Sequence, residues 1–111
     1  MNYHNRKFRP EATSSNGEVD LETVFHYQQS GNVLTCTYQG ANIVCGQLIG
    51  LVDTSGKIDM RYQQVNTAGE LRTGQCESTP EALPNGKIRL HERWRWTSGN
   101  QTSGTSTLIE I

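Results

Sequence analysis

Short runs in which apolar and polar residues alternate are the feature that most constrains the fold of this chain. A period of two sends successive side chains to opposite faces of a strand, whereas an amphipathic helix needs a period of 3.6. Glycine, asparagine, aspartate and serine separate the runs, as in turns between strands. The pattern predicts no helix and about eight strands: Tyr3 to Phe8, Thr23 to Gln29, Asn32 to Tyr38, Ala41 to Val52, Lys57 to Val65, Glu70 to Glu77, Lys87 to Thr97 and Thr105 to Ile111.

One phrase recurs along the chain. Residues 52–58 read VDTSGKI, residues 65–71 read VNTAGEL, and residues 83–88 read LPNGKI. The first copy resembles a phosphate-binding loop, but its glycine spacing and the lack of Ser or Thr after Lys57 exclude that interpretation. An aspartic-protease loop is excluded because Asn66 replaces the second carboxylate. The glycine closes a hairpin turn at positive φ, so the phrase predicts successive hairpins.

Closing these loops as hairpin turns predicts the strand register. We place two-residue turns at Ser30-Gly31 and Gln39-Gly40. The expected opposite pairs are Tyr27 with Leu34, Phe25 with Cys36, Cys36 with Ile43, Leu34 with Cys45, Gln47 with Tyr62, Ile49 with Met60 and Tyr62 with Thr73.

This register gathers nearly all apolar side chains on one face of the sheet. The expected inner face holds Phe25, Tyr27, Leu34, Cys36, Ile43, Cys45, Ile49, Leu51, Ile58, Met60, Tyr62 and Leu71. The expected outer face holds Arg72 and the glycines Gly46, Gly50 and Gly74, which would ease strand coiling. Without a helix to cover it, an apolar face is buried by curling of the sheet. The sequence predicts an all-β, small antiparallel up-and-down meander barrel, with a two-sheet β-sandwich as the alternative.

The strand from Lys87 to Thr97 carries the most informative chemistry. Its odd positions form a basic row of Lys87, Arg89, His91, Arg93 and Arg95, and its even positions are Ile88, Leu90, Glu92, Trp94 and Trp96. If the apolar row faces inward, Glu92 is a carboxylate among large hydrophobic side chains. Such a group pairs or raises its pKa, and such groups concentrate at functional sites. The alternative is a structural role, in which Glu92 is hydrogen-bonded by Gln47, Tyr27 or Tyr62.

An eight-stranded barrel is just wide enough to be filled by side chains or to hold one small ligand. The candidate ligand-binding residues of the interior are Tyr27, Gln47, Met60, Tyr62, Glu92, Trp94 and Trp96. We assign no catalytic residue and predict no cofactor or metal, because neither the histidines nor the cysteines have metal-ligand spacing. The basic row is interpreted as a solvated outer face, since nucleic-acid sites interleave exposed aromatic residues with the charges.

The length of 111 residues predicts a single domain, residues 1–111, with residues 1–20 partly flexible. Ten Lys and Arg against eleven Asp and Glu argue against a nucleic-acid or membrane binder. Neither a signal peptide nor a membrane-spanning run is readable, so a cytoplasmic location is expected. The odd number of cysteines, Cys36, Cys45 and Cys76, then predicts free thiols.

Several segments resemble those of a family of small uncharacterised bacterial proteins often labelled putative N-acetylglutamate synthase. The segments are Asn16 to Asp20, Gly46 to Gly50, Arg61-Tyr62, Thr73 to Cys76, Ser78 to Glu81, Leu83 to Gly86 and Leu90 to Gly99. That label implies acetyl transfer from acetyl-coenzyme A. Such an enzyme needs an anion site at a helix N-terminus, and the strand pattern offers none. The residues favour a calycin-like (lipocalin-like) barrel instead.

Three functional hypotheses follow. The first is a module that binds a small-molecule ligand in the barrel interior. The second is an enzyme that uses Glu92 as acid or base, and the third is a structural or interaction module whose barrel is filled. A homo-oligomer is compatible with all three.

Overall fold

The computed structural model describes residues 2–13 and 18–111, whose strands form one antiparallel sheet that closes into a barrel. The strands are β1 (Lys7–Thr13), β2 (Phe25–His26), β3 (Gln28–Ser30), β4 (Val33–Gly40), β5 (Ile43–Val52), β6 (Ile58–Asn66), β7 (Leu71–Ala82), β8 (Ile88–Trp96) and β9 (Ser103–Glu110). β2 pairs with β1, and β3 pairs with β4. Because β2 and β3 follow each other in one extended segment, residues 25–30, this segment joins the two ends of the sheet. The predicted all-β up-and-down barrel is confirmed. None of the described residues belongs to a helix that could cross a membrane.

The repeated phrase forms turns, as predicted. Asp53 and Asn66 each accept two hydrogen bonds from backbone amides two and four positions later. The glycine of each copy has a positive φ: 88° at Gly56, 80° at Gly69 and 83° at Gly86. Turn chemistry therefore accounts for the recurrence.

A bulge in β5 reverses the faces of that strand. Val44 and Cys45 are consecutive outward-facing residues, and the register with β6 shifts between Ile43 and Cys45. One extra residue moves every later side chain to the opposite face. The expectation of inward side chains was therefore wrong for Cys45, Gln47, Ile49 and Leu51, all of which are exposed.

The predicted register was also wrong. The first hairpin turns at Gly31-Asn32, one position later than expected, and β7 is shifted by one residue against β6. The observed partners are Gln29 and Gly50 for Leu34, Leu48 for Cys36, Gln63 for Gln47, Arg61 for Ile49 and Gly74 for Tyr62. As a consequence Leu71 is 65% exposed, and Arg72 lies on the inner row at the rim.

Three glycines expected on the outer face lie on the inner face. Gly46, Gly50 and Gly74 are all buried. A Cβ atom at Gly46 would lie 2.4 Å from the Tyr38 ring, and one at Gly74 would lie 2.3 Å from the Tyr62 ring. These glycines leave space for tyrosine rings that cross the barrel interior.

The alternation of β8 is as predicted. Its inner row contains buried Ile88, Leu90, Trp94 and Trp96, and the basic row lies outside. Carboxylates meet two members of the row: Arg89 pairs with Glu11 of β1 at 2.8 Å, and His91 Nε2 shares a hydrogen bond of 2.8 Å with Glu81 of β7. The basic row therefore lies on the solvent-facing side of the barrel.

The N-terminal segment closes one end of the barrel. The predicted first strand, Tyr3 to Phe8, was wrong: β1 begins at Lys7, after Asn5 with its φ of 64°. Tyr3 turns beneath the barrel, where its ring packs 6.3 Å from Phe8 and 6.2 Å from Tyr27. The prediction that residues 1–20 are partly flexible includes residues 1 and 14–17, which lie outside the described residues.

All three cysteines are free, as predicted. The expected register placed both Cys36 and Cys45 on the inner face. In the structure Cys45 faces outward, whereas Cys36 and Cys76 face inward. Burial raises the pKa of the Cys36 thiol to about 12 and raises that of Cys76 well above its usual value. The two buried thiols are therefore poor nucleophiles.

Candidate functional site: the barrel interior

A cavity of about 70 Å³ lies inside the barrel. Six of the seven predicted interior residues border it: Tyr27, Met60, Tyr62, Glu92, Trp94 and Trp96. Gln47 does not, because the β5 bulge places it on the outer face. A site of this volume holds several water molecules or a small organic group, since one water needs about 10–15 Å³.

Aromatic rings form one wall of the cavity. Trp94 and Trp96 alternate inward along β8, with ring centroids 6.0 Å apart, and Tyr62 meets Trp96 edge-on at 5.5 Å. Opposite glycines, such as Gly74 beside Tyr62, give these rings room. The wall offers apolar contact and aromatic faces to any occupant.

Glu92 is the carboxylate that lies midway along the inner row of β8. Its neighbours across the sheet are Ser78 on β7 and Ser106 on β9. The Ser78 hydroxyl donates to Oε2 at 2.8 Å, and the Ser106 hydroxyl donates to Oε1 at 3.1 Å. These serines, rather than the expected Gln47, Tyr27 or Tyr62, hold the carboxylate in place.

Burial raises the pKa of Glu92 above its usual value. Hydrogen bonds from Ser78, Ser106 and Cys76 favour the charged form and offset part of this effect. Desolvation prevails, as the sequence predicted.

Tyr27 borders the same cavity. The Tyr27 backbone is fixed by two hydrogen bonds, from Asn5 N to Tyr27 O and from Tyr27 N to Arg6 O, each 2.9 Å long. Its hydroxyl oxygen is buried and has no hydrogen-bond partner within the part of the chain that the structure describes. Burial, and next the negative charge of Glu92, raise the pKa of Tyr27 well above its usual value, so the hydroxyl remains a donor.

Polar residues at the other end of the barrel surround the mouth of the cavity. Glu18 and Val19, on the segment between β1 and β2, border the cavity together with Gln64 of β6. The Glu18 carboxylate accepts hydrogen bonds from Gln64 Nε2 at 2.8 Å and Asn66 Nδ2 at 2.7 Å, and lies 3.3 Å from Arg72 Nη1.

Sequence reasoning missed this mouth. Glu18 lies 46 to 54 residues from its partners on β6 and β7. A residue in a long loop carries no periodicity, so nothing in the local pattern connects Glu18 with the barrel. The inward position of Arg72 depends on the β6–β7 register, which was predicted one residue out of place.

Among residues 2–13 and 18–111, no group of three or more His, Cys, Asp or Glu side chains could hold a metal ion. The interior combines aromatic walls, the partly buried carboxylate of Glu92 and the donor hydroxyl of Tyr27.

Comparison with known proteins agrees with this architecture. Residues 1–111 match the family described as "Avidin-like protein". No curated protein and no solved structure matches the chain significantly. The label of N-acetylglutamate synthase, which the sequence resemblance carried, is not supported. The whole chain is covered by the family match, and the protein belongs to the avidin-like family.

Proposed function

We propose that this protein binds a small ligand in the barrel interior, with a polar group of the ligand near Tyr27 and Glu92. Avidin-like proteins bind small ligands such as biotin. The observation that carries the proposal is that Tyr27, a residue that borders the cavity, has a buried hydroxyl without a hydrogen-bond partner among the described residues. Buried polar groups are almost always satisfied by protein, water or ligand. An occupant of the cavity would supply the missing acceptor.

The two polar groups define the chemistry of that occupant. The Tyr27 hydroxyl donates to an acceptor such as a carbonyl oxygen. An ionised Glu92 accepts from an N–H group, and a protonated Glu92 can also donate. An amide or urea, which carries N–H and C=O groups side by side, matches both partners, while Trp94 and Trp96 contact its apolar part.

The size of the cavity indicates how much of the ligand it takes. Ligand sites commonly measure about 300–1,000 Å³, so the present 70 Å³ accommodates the polar head. The remainder of the ligand would extend toward the mouth, where Glu18 and Val19 cover the interior. Displacement of these two residues would lengthen the site along the barrel axis.

The Tyr27→Phe variant tests this proposal. It removes a hydroxyl that has no partner among the described residues, so we expect the free energy of unfolding to change by less than about 0.5 kcal/mol. The affinity for a ligand that uses the hydroxyl should fall about five- to tenfold, the worth of one hydrogen bond. Tryptophan emission, titrated with biotin and with the cyclic urea 2-imidazolidinone, measures binding, and denaturant unfolding measures stability.

Tyr38→Phe provides the matched control. The Tyr38 hydroxyl donates to Gln64 Oε1 at 2.8 Å, so its removal should cost about 1 kcal/mol of stability. Equal affinities in wild type, Tyr27→Phe and Glu92→Gln would contradict the proposed position of the polar group. A wild-type barrel that binds neither these probes nor any compound of a small-molecule screen would favour a filled, structural barrel instead.

The proposal includes self-association, because avidin-like proteins often form oligomers. The β5 bulge turns Ile49 and Leu51 outward, 57% and 56% exposed, and Val33 lies directly beside Leu51. Light scattering should report a mass above that of one chain, and the double variant Ile49→Lys/Leu51→Lys should be monomeric. A monomeric wild type at high protein concentration would contradict this part of the proposal.

A further inference from the structure

Three side-chain donors at the mouth of the barrel reach the Glu18 carboxylate, and one of them, Asn66 Nδ2, also donates to Glu70 Oε1 at 2.9 Å. Gln64 Nε2 and Asn66 Nδ2 donate to the two oxygens of Glu18, and Arg72 Nη1 lies 3.3 Å from Oε2. Gln64 and Asn66 are only 2% and 6% exposed. The donors belong to β6 and β7, whereas Glu18 belongs to the segment that covers the mouth.

The barrel orients these donors independently of Glu18. Gln64 Oε1 accepts from the Tyr38 hydroxyl at 2.8 Å, which turns its amide nitrogen toward the mouth. Asn66 Oδ1 accepts from the backbone amides of Ala68 and Glu70, at 3.1 and 2.9 Å, which orients Asn66 Nδ2 in the same way. A preorganised pair of amide donors would remain in place if Glu18 left.

Arg72 is the third donor of the set, and not all of its N–H groups are used in the contact with Glu18. Its guanidinium carbon lies over the Trp96 ring, 4.0 Å from the ring centroid. Its Nε atom is buried and has no hydrogen-bond partner within residues 2–13 and 18–111. Arginine binds carboxylates through two parallel N–H groups, so the present contact through Nη1 alone leaves part of this capacity unused.

Glu18 can leave without unfolding the segment that carries it. The segment is anchored separately at Asp20, whose Oδ2 accepts from Ala41 N at 2.7 Å and whose Oδ1 accepts from Glu22 N at 2.8 Å. Thr23, fully buried, adds a second anchor. Glu18 and Val19 directly precede this anchored position, and both residues border the cavity.

We propose that Gln64, Asn66 and Arg72 form a carboxylate-binding site for the ligand, and that Glu18 occupies this site as an internal competitor. A ligand whose acyl or alkyl part enters the barrel would place its carboxylate on the three donors and displace Glu18. Val19 would move with Glu18 and uncover the interior. This inference rests on the proposed function, because the site lies at the mouth of the same cavity.

Competition makes a clear prediction for the Glu18→Ala variant. An internal competitor lowers the apparent affinity in proportion to the time it occupies the site. Removing the carboxylate should therefore tighten the binding of hexanoate by about tenfold or more. The affinity for hexanamide, which has the same chain without the charge, should change much less. Titration of tryptophan emission, with Trp96 at the site, measures both affinities, and calorimetry provides an independent check.

Two further variants separate charge recognition from opening of the mouth. Glu18→Gln keeps the length of the side chain and should also favour hexanoate over hexanamide relative to wild type. Glu18→Ala/Arg72→Lys keeps a positive charge but loses the planar guanidinium, and it should lose most of the gain, because lysine does not reproduce paired N–H donation or stacking.

The outcomes distinguish this inference from the proposed function. Hexanoate and hexanamide affinities that rise equally in Glu18→Ala would show that Glu18 is only a steric cover, which overturns the carboxylate site while retaining an interior site. Failure of hexanoate to bind any variant, while 2-imidazolidinone or biotin binds wild type, would also overturn it. Preference for hexanoate in Glu18→Ala that disappears with Arg72→Lys supports it.

Discussion

Replacing Gly46 with alanine is expected to destabilise the barrel by about 1–3 kcal/mol, the usual cost of overpacking a core. The new Cβ would lie 2.4 Å from the Tyr38 ring, so the ring must move. It has little freedom to do so, because its hydroxyl donates to Gln64 and its ring packs 4.8 Å from Phe25. Denaturant unfolding measures the loss.

A double-mutant cycle provides the control for this prediction. In a Tyr38→Ala background the ring is absent, and Gly46→Ala should then cost little or be stabilising, since alanine restricts the unfolded chain. Gly74→Ala should cost less than Gly46→Ala, because Tyr62 is partly exposed and can shift. A Gly46→Ala cost that stays the same without the Tyr38 ring would show that backbone geometry, and not the ring, requires glycine.

The turns and one strand of this barrel were readable from sequence because their chemistry is local. Gly56, Gly69 and Gly86 adopt the positive φ that their turns demand. The β8 strand alternates without interruption, so its inner row and the place of Glu92 followed from parity alone. Closure into a barrel followed because an apolar sheet face has to be covered.

The register of the middle strands was not readable because it depends on a feature without a local signal. The bulge at Val44 and Cys45 adds one residue to β5. Beyond the bulge, the row of alternate residues that begins at Ile43 faces outward instead of inward. Glycine content then misled the interpretation further. Gly46 and Gly74 were assigned to strand coiling outside, whereas tyrosine rings from neighbouring strands occupy the space above them inside.

One part of the candidate site could be predicted from the sequence, and the other part could not. The inward positions of Tyr27, Glu92 and Trp94 were predicted because each residue lies on an extended segment whose alternation was assigned correctly. Its mouth was not predicted, because Glu18 meets Arg72 through a contact across 54 positions of sequence. The contacts of such loop residues follow from the three-dimensional structure of the barrel and not from the local sequence pattern.

We expect the stability of wild type to fall as pH rises above 4.5, the usual pKa of a glutamate carboxyl, and we expect the replacement of Glu92 with glutamine to remove that fall. The pKa of Glu92 is raised in the folded protein, chiefly by burial. Its contribution to stability is thus fully present below the unfolded pKa, is lost as pH rises toward the folded pKa, and stays lost above it. Glutamine has no proton to lose, and its amide can still bond Ser78 and Ser106.

Denaturant midpoints across pH for wild type and Glu92→Gln test this expectation, with Glu81→Gln as the matched control. Hydrogen bonds from His91 and Arg89 lower the pKa of Glu81, so its contribution is lost as pH falls, the opposite direction. The two variants should therefore flatten opposite limbs of the stability profile. Coincident profiles for wild type and Glu92→Gln would mean that Glu92 is solvated in the folded state. Water would then have to reach the carboxylate through the cavity, and the interior would be a hydrated channel instead of a closed ligand site.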